Sequence, residues 1–319
     1  MAKRSGNRLF LLGLILVGVE AFLSHQTNDI RRVASILDAT NSNDSSSRSG
    51  LYRKFADHAK SRLLESEIFQ EMTNIPEDLL SNCAPATGGK AGKKVVQIST
   101  SAMVPTTEYK HVVSYARVAL LETIPDEDVD EAGDFTDGIQ VLNFVVIPSD
   151  KTNLPVLGID LVTLPGGRNL LLLDAQPMII PNPHEEKWKE WHSKHVLNNL
   201  DVFTWGGDFP EAVKKYVSEY ALWTRLQPSE DQDESPSSSD PISVIQNQVW
   251  EAFKTHLDVY IELLQMSDTS GFEDTDGTNH QRDYLEYRRS TDPAKPMLNS
   301  LYGKEWTNEL LEKVLFPPK

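Results

Sequence analysis

The stretch from Ile139 to Met178 constrains the fold more than any other part of the chain. It holds three strongly apolar segments separated by turn residues. Each segment carries one polar side chain that its surroundings do not invite: Asn143, Asp160 and Asp174. In the first segment Ile139, Val141, Asn143, Val145 and Ile147 share one face, and Gln140, Leu142, Phe144 and Val146 the other. Both faces are largely apolar, so this strand must be covered on both sides. Val156 to Leu164 reads the same way, and Pro165-Gly166-Gly167-Arg168 turns the chain into a third apolar run. Three consecutive strands make an antiparallel meander. Helices on both faces then make an α/β fold, a three-layer α/β/α sandwich with a central, mainly antiparallel sheet.

Register decides which polar residues meet. If Pro148 and Pro155 face each other across the first hairpin, Asn143 falls opposite Asp160. A slip of one residue would part them. In the second hairpin, Pro165 opposite Arg168 sends Asp174 to the other face, which makes it the structural member of the three. Asp160 shares its face with Val156, Gly158, Val162 and Leu164. A carboxylate there must be paired, line a cavity or be protonated, because burying it ionised is expensive. Gly158 marks a place where a ligand can approach the strand. Burial raises the pKa of a carboxyl, which suits a proton donor. An aspartate satisfied by neighbouring backbone or by an arginine fits the same pattern.

Around the meander the periodicity predicts a helix from Leu51 to about Leu80 and strands at VVQIST and VVSYARVALLE. It predicts further helices over 184–200, 210–226 and 244–266, and a last one at EWTNELLEKVLF. Acidic or low-complexity segments at 124–138, 228–241 and 267–279 read as surface loops, disordered ones in a domain spanning 49–319. Tyr284, Arg288 and Asp292 are spaced by four and line one helix face. Asp292 precedes Pro293, the pattern of a helix cap, and a cap residue can also face a pocket. An Arg–Asp pair at a pocket wall would bind carboxylates and tune a proton donor.

Several chemistries are excluded. A formal charge of −16 argues against nucleic acid, which needs a concentrated positive face. One cysteine, Cys83, cannot build a disulfide framework, a zinc-thiolate cage or an iron–sulfur cluster. The Gly/Lys-rich APATGGKAGKK lacks the spacing of a phosphate loop, and His192 and His195 lack the carboxylate of a zinc-protease helix, so no metal site is read. Neither a dinucleotide fingerprint nor a nucleophile elbow occurs. Any redox chemistry therefore draws electrons from outside the chain.

The N-terminus reads as a leader. Lys3, Arg4 and Arg8 precede LFLLGLILVGV, which is short for a bilayer span, and Val19-Glu20-Ala21 suits signal-peptidase cleavage, giving a signal peptide over 1–21. Residues 22–48 are rich in Ser and Asn and read as a transit-like segment. The combination resembles the bipartite leader of algae with secondary plastids, which implies a plastid stroma as destination and no membrane span in the mature form. Plain secretion is the rival reading.

VLNFVVIP, LPVLGIDLVTLPGG with LDAQP, WGGDFPEAVKKYVSEYALWTRL, and YLEYRRSTDPAKPML with YGKEWTNELLEKVLF resemble the ferredoxin-dependent bilin reductase family, in the family's order, over roughly 95–319. VLNF, DLVTLPGG and WGGDFPE are most similar to the branch that reduces 15,16-dihydrobiliverdin to phycoerythrobilin. LGID is also similar to the branch that reduces biliverdin to 15,16-dihydrobiliverdin. The resemblance implies an open-chain tetrapyrrole (bilin) between the sheet and the C-terminal helices, and no bound flavin, metal or nicotinamide. Reduced ferredoxin supplies electrons singly, so the bilin passes through radical states. The family's sheet aspartate falls on Asp160 and its second aspartate on Asp292, as catalytic residues. Its neighbouring arginine falls on Arg288. Asn143 stands where the phycocyanobilin-forming branch has histidine, and both Asn143 and Arg288 are implied substrate contacts. Ferredoxin, the bilin and an upstream bilin reductase handing over substrate are the expected partners of a monomer. Ferredoxin docking would need a basic patch, at Lys187, Lys189 and Lys194 or at Lys214 and Lys215. A non-catalytic bilin carrier on the same scaffold is the rival of another class.

Overall fold

The computed structural model describes residues 50–86, 94–125, 138–152, 154–180, 186, 189–190, 203–204, 206–209, 211–227, 240–269 and 278–317. The leader, most of 184–200 with His192 and His195, and residues 126–137, 228–239 and 270–277 of the three acidic segments lie outside the described residues.

Helix α1 (Arg53–Glu65) buries Phe55, Ala56, Ala59 and Leu63 along one side. It is shorter than the periodicity predicts. Glu67 takes a left-handed backbone, φ 62°, and the chain turns into β1 (Phe69–Glu71) instead of continuing to Leu80. A short α2 (Glu77–Leu80) leads to β2 (Ser81–Pro85). Then β3 (Lys94–Pro105), β4 (Val113–Pro125), β5 (Gln140–Pro148), β6 (Val156–Leu164) and β7 (Arg168–Gln176) pair in succession. Every pairing is antiparallel, and β1 and β2 both add to β3. Away from this sheet, β8 (Ile179–Ile180) pairs with β10 (Thr278–Asn279).

Residues 210–226 do not form the expected helix. Only α3 (Glu211–Lys214) is helical, and Leu222–Leu226 is strand β9, docked antiparallel on β7. Leu222 and Thr224 are buried while Trp223 and Arg225 are half-buried, a period of two that fits a strand on the open edge of β7. The long helix stands where the periodicity puts it. It runs from α4 (Pro241–Val244), capped by Asp240, through a π-helical segment Ile245–Val249 into α5 (Trp250–Thr269), so it takes in the start of the third acidic segment. The chain closes with α6 (Gln281–Thr291), α7 (Lys295–Tyr302), α8 (Lys304–Leu310) and a π turn at Leu311–Leu315.

Two apolar layers sandwich the sheet. On one face Leu142, Phe144, Ile159, Leu161, Leu171 and Leu173 pack with α1 and α5, where Phe55 meets Trp250 and Phe253 edge to face at 4.9 and 5.1 Å. On the other, Tyr115, Ala119, Leu121 and Val145 meet Tyr284, Leu285, Met297 and Leu298 of the C-terminal helices. This is the three-layer α/β/α arrangement expected of strands apolar on both sides.

The first hairpin has the expected register, with Asn143 opposite Asp160. The second differs by one residue. Leu164 pairs with Arg168, so the turn has three residues, Pro165 to Gly167, closed by Gly167 N–H donating to the Leu164 carbonyl at 3.1 Å. Gly166 and Gly167 both adopt positive φ, 84° and 72°, which lets the longer turn close. Asp174 consequently pairs with Gly158 and shares the face of Asp160, not the opposite one.

Candidate active site

Strands β5 and β6 place Asn143 and Asp160 side by side on the face that meets the C-terminal helices. Asn143 Nδ2 donates to Asp160 Oδ1. The outer oxygen of Asp160 faces α6, where Arg288 Nη1 stands 3.9 Å from Asp160 Oδ2 and Nη2 stands 4.0 Å from Asp292 Oδ2. Both gaps exceed hydrogen-bond length, so Arg288 is held between two carboxylates without closing on either. Its Nε is buried with no partner among the described residues.

Asp292 ends α6 and does two things. Its Oδ1 accepts from Ala294 N–H at 2.8 Å, orienting the entry to α7, while Oδ2 faces Arg288. The cap and pocket readings of the sequence are therefore compatible. The cap is a two-residue turn, with Ala294 and not Asp292 immediately before α7. Burial pushes the Asp292 carboxyl up, against the pull of Arg288 and Arg117. Burial works against charge on Arg288, but Tyr284, Asp160 and Asp292 outweigh it and the guanidinium stays charged.

These four residues line a cleft with Ile98, Ala119, Leu121, Val141, Val162, Met297, Leu298 and Leu315. The walls are mostly apolar, with polar groups converging at one end, the usual make-up of a small-molecule site. The open space, solvent mouth included, is about 720 Å³. Gly158 does not contribute to it. A Cβ there would sit 3.0 Å from the Gln176 side chain, so the missing side chain makes room for Gln176 and not for a ligand. Asp174 is also outside the lining. It is 1 % exposed and takes Ser218 N–H at 2.9 Å and the Ser218 hydroxyl. Burial pushes its carboxyl up to about 6, with the Ser218 bonds opposing. Tyr284 is buried against Tyr216, ring centroids 5.1 Å apart, and braces α6.

Sequence reasoning passed over Arg117. It lies on β4, fully buried, with Nε donating to the Leu315 carbonyl at 2.7 Å and Nη1 to the Asn143 carbonyl at 3.3 Å. The signal was available, since Arg117 interrupts the apolar VVSYARVALLE as Asp160 interrupts its own strand.

A family model described as ferredoxin-dependent bilin reductase matches residues 131–317. A phycoerythrobilin:ferredoxin oxidoreductase of Nostoc punctiforme is 33% identical over 279 residues, covering 83% of this chain and 92% of the relative. The chain belongs to the ferredoxin-dependent bilin reductase family. Relatives of the same name from Prochlorococcus marinus subsp. pastoris and a Synechococcus strain are 37% and 38% identical, each over 55% of this chain and 65% of the relative. The solved structure of tomato phytochromobilin synthase in complex with biliverdin shares the fold, with a TM-score of 0.55 at 19% identity, over 83% of this chain and 82% of that one. As a bilin reductase the chain is an oxidoreductase that takes electrons from ferredoxin and delivers them to a bilin.

Proposed function

We propose that this bilin reductase converts 15,16-dihydrobiliverdin to phycoerythrobilin, with Asp160 and Asp292 as proton donors and Asn143 and Arg288 as substrate-binding residues. The carrying observation is the convergence of two carboxylates, an amide and an arginine at one end of an apolar cleft. The relatives named phycoerythrobilin:ferredoxin oxidoreductase support the product.

The reaction adds two electrons and two protons to one conjugated double-bond system. Each of two reduced ferredoxins gives one electron, and each electron leaves negative charge on the bilin that a proton must neutralise. Two carboxylic acids in one site match two protons per turnover. Burial favours the neutral, proton-bearing form of Asp292. Asp160 is half-buried and lines the same cleft. Asn143 fixes the orientation of Asp160, and Arg288 offers an Nε–H unpartnered among the described residues and a charge that stabilises the reduced bilin. The cleft's apolar walls match the flat, apolar faces of the pyrrole rings. The protein carries no redox cofactor of its own in this reading.

Several further points belong to the same reading. The protein works in a plastid stroma after removal of its leader, as a monomer, and receives its substrate from an upstream bilin reductase. A basic surface for ferredoxin lies either at Lys214 and Lys215, which are exposed with Lys214 paired to Glu211 at 3.4 Å, or around Lys189, which is exposed; Lys187 and Lys194 lie outside the described residues. Asp160→Asn tests the proton donor. It should bind the bilin within a few-fold of wild type and lose turnover by about 100-fold or more, the scale of lost general-acid catalysis. Unchanged turnover would remove Asp160 from the mechanism. The string LGID supports a second reading, reduction of biliverdin to 15,16-dihydrobiliverdin by the same groups. Stoichiometric bilin binding with no reduction at all would favour a carrier.

A further inference from the structure

Arg117 is the largest fully buried side chain among the described residues, and no carboxylate bonds to it directly. Its Nη2 has no partner among the described residues. A buried cation left in this state is costly, and an apolar side chain of similar volume would serve packing better. Its surroundings connect it to the cleft in two ways. Through Nη1 it holds the main-chain carbonyl of Asn143, the residue bonded to Asp160. Through its planar face it lies over the Phe316 ring, 4.9 Å from the centroid, and Arg288 lies over the same ring at 5.7 Å. Phe316 is itself fixed from α6, because Arg289 Nε donates to its carbonyl at 3.1 Å. The Nε bond to Leu315 ties the closing π turn to β4, and Leu315 lines the cleft.

We propose that Arg117 is a positioning residue of the reduction site: from the neighbouring strand, on the same sheet face, it fixes the Asn143–Asp160 pair, sets the place of Arg288 through Phe316, and supplies a fixed positive charge beside both carboxylates. This rests on the reading of the cleft as the bilin-reducing site. The charged and titratable groups facing this charge are Arg288, Asp292 and Asp160 of the site and Tyr115 of β4. Burial and Arg288 lower the pKa of Arg117, but only to about 10, so it stays charged at neutral pH. Around Asp292 the opposing groups are Arg288, the Ala294 amide, Arg117 and Asp160. Arg117 thus pulls Asp292 towards its anion, and burial pushes the other way.

The test uses the mature chain with bilin and reduced ferredoxin under anaerobic conditions, comparing Arg117→Gln, Arg117→Met and Arg117→Lys with wild type. Gln keeps a donor for the Leu315 carbonyl and removes the charge, so it stays informative if the Met variant fails to fold. The neutral variants should bind bilin within about threefold, turn over about tenfold more slowly, and shift the alkaline limb of the pH–rate profile up by about one unit, as loss of a nearby cation does to an acid. Lys should restore the limb to its wild-type position. A folded Gln variant with the wild-type pH profile would overturn the proposal, as would a rate loss matched by the loss of folded protein. If the wild-type chain reduces no bilin, the underlying reading fails before the variants are compared.

Discussion

Asp160 and Asp174 sit on one sheet face of one meander, yet the structure treats them oppositely. Asp174 is sealed and answered by two groups of Ser218, whereas Asp160 is answered by Asn143 on one side and opens to the cleft on the other. The two should separate in their pH effects. Asp174 titrates near pH 6 when folded, above its ordinary range, so its neutral form favours the folded state. That stability is fully present below about pH 4 and is lost as pH rises through about 6, an effect on the order of 2–3 kcal/mol. Asp174→Asn should flatten this decline in denaturant melts taken from pH 4 to 7. A decline of unchanged steepness would mean another group causes it. At this scale the sequence was readable because each residue interrupts a strand covered on both sides. Asn143, Asp160, Arg288 and Asp292 were all found that way or by helical spacing, while Arg117 was passed over despite the same signal. Partners across the fold, such as Ser218 for Asp174 and Leu315 for Arg117, have no local signature.

The strand pairings turn these residues into a site. One-residue register matters because it moves a side chain through the sheet. The prolines bounding the first hairpin put Asn143 opposite Asp160, and the structure agrees. The second hairpin was harder to read because two glycines permit turns of either two or three residues. The three-residue turn prevailed and brought Asp174 to the site's face. Gly166 stands in open space with φ 84°, so Gly166→Ala costs backbone strain alone. It should destabilise by about 1 kcal/mol and lower the melting temperature by a few degrees, with turnover unchanged. Melting equal to wild type would argue against the left-handed turn. The strand β9 was mistaken for helix because its five residues follow a short amphipathic run, and only the open edge of β7 decides its state. Tertiary pairing overrode local pattern there.

For the molecule as a whole, the apolar strands required a sheet covered twice, and the cleft forms where the C-terminal helices meet the polar end of that sheet. In the proposed reading, a chain with a formal charge of −16 meets an acidic electron donor through a local basic surface. Turnover at limiting ferredoxin should therefore fall as ionic strength rises, and a rate indifferent to salt would count against such a surface. The central claim is the reaction itself. Anaerobic turnover of the mature chain with reduced ferredoxin should be followed with 15,16-dihydrobiliverdin and with biliverdin, side by side, and the products identified. The expected result is phycoerythrobilin from 15,16-dihydrobiliverdin and no reduction of biliverdin; biliverdin consumed to 15,16-dihydrobiliverdin, with the latter left untouched, would contradict it.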